Sequence, residues 1–246
     1  MIIGFCGSGS MAAAMARGLK GAVPRMLFTD SGSGRAADLA AEVDGEAVAT
    51  NAELAERANV VVLAVKPAKL GDVAAELVGA DVVVSLLGAT PLATVEAAFP
   101  DADVVRVMPN VGVEVRRGVL CVAGEPGAEL RALLDRLGHV VELDDSEFDA
   151  ATAVMSCAPA YLALAVEAIA DAGAADGLDA DLARELVVET TAGTAELLGI
   201  RHPADVRRAV ASPGGSTEAG LEALDRHGAR RAFEAAVQAS LERMRG

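Results

Sequence analysis

The chain is short of positive charge. Lysine occurs only at 20, 66 and 69, and 21 basic residues face 36 acidic ones, for a net charge of −15. A surface that negative repels phosphate backbones and anionic headgroups, so neither nucleic acid nor a membrane is an expected partner. The basic residues are almost all arginine, a bias as compatible with a GC-rich genome as with adaptation to salt. Cysteine is scarce too: Cys6, Cys121 and Cys157 are odd in number and lack CxxC spacing, which argues against a disulfide framework and a zinc site. A reducing cytoplasm is the expected location. His139, His202 and His227 show no paired ligand spacing, so no metal centre is expected and each reads as a surface or capping histidine. No run of about 18 apolar residues escapes charge or glycine, which argues against a membrane span. The apolar N-terminus lacks a basic leader and is broken by glycines, unlike a signal peptide. Internal repeats, low-complexity tracts and long linkers are missing as well.

What is present suffices for a substantial core: 246 residues, 52% hydrophobic and 23% charged, room for one large or two modest domains. Up to about residue 145, short β-rich runs alternate with helical patterns, as in a βαβ sheet covered by helices. Strands are expected near 1–6, 25–29, 60–65, 81–86, 102–107, 118–123 and 139–143. The unbroken apolar runs 60–65 and 82–87 suit strands buried on both faces of a parallel sheet. Beyond about Asp144 only helical periodicity remains. Helices are expected at 159–172 and 181–198, and Phe233, Ala236, Val237, Ser240, Leu241 and Met244 form one stripe on a last helix. The expected architecture is therefore α/β, with a dinucleotide-binding domain over 1–145 and an all-helical domain over 146–246. A helical half this apolar needs a partner chain to cover it, so a homodimer is expected.

The sharpest motif follows the first strand. In Gly4-Phe5-Cys6-Gly7-Ser8-Gly9-Ser10-Met11-Ala12, Gly7, Gly9 and Ala12 make GxGxxA between a strand and a helix. Gly7 permits the tight turn, Gly9 lets a pyrophosphate approach the backbone, and Ala12 allows close helix–sheet packing. Gly7, Ser8, Gly9, Ser10 and Met11 are thus candidate cofactor contacts. Asp30 lies at the end of the second strand, where an acid holds the ribose 2′-hydroxyl of NAD. Ser31, Ser33 and Arg35 follow at once, and a hydroxyl-rich loop with an arginine suits the 2′-phosphate of NADP. The expected cofactor is NADP or NAD, with NADPH slightly favoured; Asp30 as a turn or capping residue is the other reading. Ala64-Val65-Lys66-Pro67 and Met108-Pro109-Asn110 end two further strands at the carboxyl edge, where open α/β sheets bind ligands. Lys66 and Asn110 read equally as cofactor contacts or as loop and turn residues. Finally, Ser212-Pro213-Gly214-Gly215-Ser216-Thr217-Glu218 is a glycine-rich loop leading into a helix, a place for a carboxylate or simply a capped helix–helix turn.

Taken together, these residues resemble the pyrroline-5-carboxylate reductase family over nearly the whole chain: the GxGxMA start, the strand ends VKP and VMPN, Pro159-Ala160-Tyr161, His202-Pro203 and, most specifically, the SPGGST loop. The resemblance implies a Rossmann-type NAD(P) domain, a helical dimerisation domain interlocking with a second subunit, and assembly of dimers into decamers in some members. It implies reduction of a cyclic imine to proline. It also implies that the substrate carboxylate lies on the backbone of the loop at Gly215, Ser216, Thr217 and Glu218, with Thr217 as the catalytic residue that hydrogen-bonds the ring nitrogen. The chain departs from the family pattern at Met155-Ser156-Cys157-Ala158-Pro159-Ala160-Tyr161, where members read SGSGPAY, and at Val111-Gly112. Alternatives are a reductase of another cyclic imine and a non-catalytic NAD(P)-binding dimer. A β-hydroxyacid dehydrogenase is disfavoured, since it needs a lysine in the helical half and every lysine precedes residue 70.

Overall fold

The computed structural model describes residues 1–245 and divides into two units. The first comprises Met1–Cys157 and the chain end from Leu241; the second is Ala158–Ser240.

The first unit is built on an eight-stranded sheet: β1 (Ile2–Cys6), β2 (Arg25–Thr29), β3 (Glu46–Ala47), β4 (Val60–Leu63), β5 (Val82–Ser85), β6 (Asp103–Pro109), β7 (Gly118–Ala123) and β8 (Gly138–Glu142). Their spatial order is β3-β2-β1-β4-β5-β6-β7-β8, with the order reversing at β1. All neighbours pair in parallel except β6 and β7, which are antiparallel. That inversion departs from the βαβ expectation. The connection 110–117 holds only the 3-10 turn Val111–Val115, and a parallel crossover needs about a dozen residues or more. The short β3 is also unforeseen, because two residues carry no alternation to detect.

Helices α1 (Ser10–Leu19), α2 (Arg35–Val43), α3 (Asn51–Arg57), α4 (Leu70–Glu76), α5 (Leu92–Ala98), α6 (Ala128–Leu134) and α7 (Phe148–Met155) accompany the strands. Alternate residues of β1, β2, β4 and β5 feed two separate cores, and Met108, Cys121 and Ala123 of β6 and β7 form a smaller third one with Phe148. Ile3, Phe5, Met26, Phe28, Val60 and Val62 pack with Met15, Leu19, Leu39 and Leu134 of α1, α2 and α6. Leu27, Val61, Leu63 and Val83 pack instead with Leu54, Val73 and Val95 of α3, α4 and α5. Both faces are covered, which is why these strands read as continuous apolar runs. Phe5 and Phe28, cross-strand neighbours, stack at 5.3 Å.

One charged side chain among the described residues is buried deep in this unit. Arg106 on β6 is 3% exposed, pairs with Asp145 at 2.7 Å and lies 4.4 Å from the centre of the Phe148 ring. Asp145 also accepts from the Leu92 N–H at 3.0 Å, so one carboxylate ties β6, the start of α5 and the approach to α7 together.

The second unit is helical: α8 (Ala158–Ala175), α9 (Ala180–Leu198), α10 (Pro203–Val210), α11 (Ser216–Arg226) and most of α12 (Ala229–Arg245). His202 caps α10, its Nδ1 accepting from the Ala204 N–H at 3.2 Å. The Tyr161 hydroxyl meets Ser240 Oγ at 2.6 Å and donates to the Ala236 carbonyl at 3.3 Å, fastening α8 to α12. α8 and α9 bury only Ala170 and Ala183 fully, leaving Leu162, Leu164, Ile169, Leu182 and Leu186 exposed. One helical stretch, 145–175, is long and apolar enough by length and composition to cross a membrane, with a mean hydropathy of 1.7, although Glu167, Asp171 and Gly173 punctuate it as the sequence reading has it. The window reaches that average because alanine and leucine dilute the few charges in it.

Candidate active site

The glycine corner is assembled by β1, β2 and α1. The Thr29 carbonyl accepts from the Gly7 N–H at 3.2 Å and from Ser8 Oγ at 3.0 Å, which pins the turn to the second strand. Gly7 has φ of 99°, and a Cβ there would sit 2.6 Å from the Ala64 carbonyl oxygen, so the fold itself demands glycine. Gly9 differs. It caps α1 in extended conformation with no side-chain cap, and a Cβ built on it would meet nothing within 4 Å. Nothing inside the protein requires glycine at that position. The open space beside the first-turn amides of α1 is what an approaching anion would use. Ser8, Gly9 and Ser10 line a cleft of about 410 Å³ together with Arg17 and Arg35.

At the end of β2, the Asp30 carboxylate is fully engaged by its own loop. Oδ1 accepts from the N–H groups of Gly32 (2.7 Å) and Ser33 (3.0 Å). Oδ2 accepts from Ser33 Oγ (3.0 Å) and the Ala36 N–H (2.8 Å). Bonding by these donors, the Ala36 amide foremost, holds the Asp30 carboxyl below its ordinary range. Ser31 is exposed, and Arg35 turns its Nε to Ser33 Oγ at 3.0 Å.

A second cavity of about 560 Å³ opens beside this loop, lined by Thr29, Asp30, Asn51 and Glu76 among others. Asn51 is its hub: Oδ1 accepts from Thr29 Oγ1 at 2.6 Å and from the Cys6 thiol at 3.4 Å, while Nδ2 donates to Glu76 at 2.7 Å. Burial pushes the Cys6 thiol up to about 11, with the Thr29 hydrogen bond opposing and the Glu76 charge adding to the rise. Sequence reasoning missed Thr29, Asn51 and Glu76. The signal available was Thr50-Asn51-Ala52-Glu53, in which Thr50 caps α3 by accepting from the Glu53 N–H at 3.1 Å and so sets Asn51 at the first helical position.

The other strand ends behave differently from one another. Ala64 and Val65 are half-buried after β4, while Lys66 and Pro67 are exposed at the start of a 3-10 turn, Pro67–Lys69, and the Lys66 ammonium has no partner among the described residues. Met11 is half-buried in the first turn of α1. Asn110 is committed to the fold: Oδ1 accepts from the Gly112 and Val119 N–H groups, both at 3.1 Å, and Nδ2 donates to the Met155 carbonyl at 3.2 Å. Ser156 Oγ donates to the Pro109 carbonyl at 3.3 Å, so the Met155–Cys157 segment is held against the end of β6.

In the second unit, the SPGGST loop ends in α11, whose cap is Gly215 with no side-chain cap bond. Ser216 and Thr217 are exposed, and the Thr217 hydroxyl has no partner among the described residues. Glu218 folds back so that its Oε2 accepts from the Gly214 N–H at 2.6 Å. The first-turn amides of α11 are left for an anion, with a free hydroxyl beside them. No cluster of three or more potential metal-ligating side chains occurs among the described residues.

Residues 145–246 match the family described as pyrroline-5-carboxylate reductase dimerisation, and residues 2–88 match NADP oxidoreductase coenzyme F420-dependent. The pyrroline-5-carboxylate reductase of Synechocystis is 36% identical over 204 residues, covering 78% of this chain and 76% of that protein. The pyrroline-5-carboxylate reductase of Pisum sativum is 33% identical over 258 residues, covering 99% of this chain and 94% of that one. Among solved structures, the pyrroline carboxylate reductase of Plasmodium falciparum with NADP bound superposes with a TM-score of 0.88 at 25% identity, over 99% of this chain and 97% of that chain.

Proposed function

This chain belongs to the pyrroline-5-carboxylate reductase family, and from that membership we propose that it reduces the cyclic imine 1-pyrroline-5-carboxylate to L-proline, the last step of proline biosynthesis. The observation that carries the reading is the coexistence in one chain of two anion-binding helix starts left open by the fold. One is the Gly9 corner; the other is the SPGGST turn with its free amides and unpartnered Thr217 hydroxyl.

The residues present fit a dinucleotide. Gly7, Ser8, Gly9, Ser10 and Met11 would hold the pyrophosphate on α1, the Asp30–Arg35 loop would take the adenosine ribose, and Ala64–Pro67 would flank the nicotinamide side. Bound there, a reduced nicotinamide supplies the hydride. The chain's own task is orientation. The amides of Ser216, Thr217 and Glu218, with the positive end of the α11 dipole, hold the substrate carboxylate. Thr217 Oγ1 hydrogen-bonds the ring nitrogen and holds the C=N carbon in position. A protonated imine is already a good hydride acceptor, so no stronger acid is required. Asn110 acts by fixing the Met155–Cys157 segment to the end of β6.

The match to a dimerisation family over 145–246 supports association, and a second copy is the proposed cover for the exposed leucines of α8 and α9. The three unpaired thiols suit a reducing compartment. The test is the loss of reduced-nicotinamide absorbance with racemic pyrroline-5-carboxylate. Turnover is expected. Thr217→Ala is expected to lower kcat/KM by roughly tenfold to a hundredfold with little change in dinucleotide affinity; unaltered turnover would remove Thr217 from the mechanism.

A further inference from the structure

We infer that Arg106 and Asp145 are positioning residues for the reaction: their ion pair sets how far α7 reaches along β6, and so places Ser156 and Cys157 at the carboxyl edge. The inference rests on the imine reduction proposed above, because that edge is where the nicotinamide and the imine would meet.

The bonds are distributed for placement rather than for strength. A guanidinium and a carboxylate pair most strongly as a two-bond fork. Arg106 instead gives Asp145 one bond, Nη1 to Oδ1 at 2.7 Å, and its buried Nε has no partner among the described residues. Asp145 turns Oδ2 to the Leu92 N–H at 3.0 Å. One bond to each oxygen fixes the carboxylate against β6 and the start of α5 at once. The guanidinium carbon also lies 4.4 Å from the centre of the buried ring of Phe148, the first residue of α7.

α7 is thus held at its foot. The turn leading into it is stiffened by a reciprocal capping box, in which Glu147 Oε2 accepts from the Asp144 N–H at 3.2 Å. Its head is held to the same strand, where Asn110 Nδ2 donates to the Met155 carbonyl and Ser156 Oγ to the Pro109 carbonyl. Between the two ties, Phe148, Ala151 and Met155 recur at helical spacing and pack with Met108, Cys121 and Ala123. The spans agree. From Arg106 to Asn110 a strand advances roughly 13 Å, and from Asp145 to Met155 a helix advances roughly 15 Å. The tie at the foot therefore determines where the head arrives, and its loss lets α7 slide while the sheet stays whole.

Cys157 reports that arrival. It is half-buried just past the Ser156 tie, whereas Cys6 and Cys121 are buried in β1 and β7. The experiment follows alkylation of the three thiols of the intact protein by iodoacetamide at pH 8, mapped by mass spectrometry, alongside steady-state kinetics. Asp145→Asn keeps an acceptor for Leu92 but loses the charge; Arg106→Met loses the other partner. In both, Cys157 should react severalfold faster while Cys6 and Cys121 stay protected. In the same variants kcat/KM for the imine should fall roughly tenfold to a hundredfold, with dinucleotide affinity unchanged within about twofold. Arg106→Lys, which keeps the charge, should lie between these variants and the unaltered protein. Reaction of all three thiols together would mean general loosening and overturn the inference, as would an unmoved Cys157 rate or a normal kcat/KM in the folded variants. If the unaltered protein does not turn the imine over, the proposed reaction falls, and the Cys157 rates alone decide whether the ion pair places α7.

Discussion

Among single residues, Cys6 and Asp145 show how much local environment adds to identity. Burial raises the Cys6 thiol from an ordinary 9.0 to about 11, so the folded chain holds that proton more tightly than the unfolded one. The resulting stabilisation is fully present below pH 9 and is lost as the pH rises through 11. Denaturant midpoints should therefore fall between these values, and fall less in Cys6→Ala. Cys6 and Cys121 are both buried, and alkylation at pH 8 should reach them only after unfolding. Asp145→Ala should cost about 3 kcal/mol in denaturant unfolding, because Arg106 would remain buried without its counter-charge; a loss under about 1 kcal/mol would mean that Phe148 and solvent suffice. Neither contact was legible beforehand. Arg106 sits inside a β-run like any other polar residue, and its partner lies 39 positions away across the fold.

At the level of elements, the sequence was most readable where one signal repeats. Short β-rich runs, continuous and apolar where the strand is buried on both faces, located seven of the eight strands. The GxGxxA start was equally plain, though its glycines have unlike reasons that only coordinates separate. Gly7→Ala should destabilise the fold, because φ of 99° and the Ala64 carbonyl at 2.6 Å both oppose a side chain. Gly9→Val should leave the melting temperature nearly unchanged and abolish dinucleotide binding, since its Cβ points into open space. If both variants melt early, the distinction fails. Asp30 and Asn110 were readable as being at the right edge but not as to what they bond, because turn-forming and ligand-binding residues share the same types and spacings. Thr29, Asn51 and Glu76 were invisible for a related reason: they converge from a strand end and two helices, with no local spacing to mark them.

For the whole molecule, the apolar balance of the helical half is unlike that of the sheet. Leu162, Leu164 and Ile169 on α8 are each more than half exposed, and α8 buries only Ala170 fully. Leu164→Glu should weaken self-association, moving sedimentation towards the monomer at micromolar concentration; an unchanged sedimentation coefficient would place the contact elsewhere. The antiparallel step from β6 to β7 has a further consequence, one of parity. Each strand and each helix carries the chain once across the sheet, from one edge to the other. Six strands and the five helices between them bring the chain to the carboxyl edge at Pro109. Because β7 then returns without a crossover helix, α6, β8 and α7 complete an even count of traverses, and Met155 arrives back at that same edge beside Asn110. With a parallel β7 the count would be odd, and the first unit would hand its chain onward from the far side, away from the glycine corner.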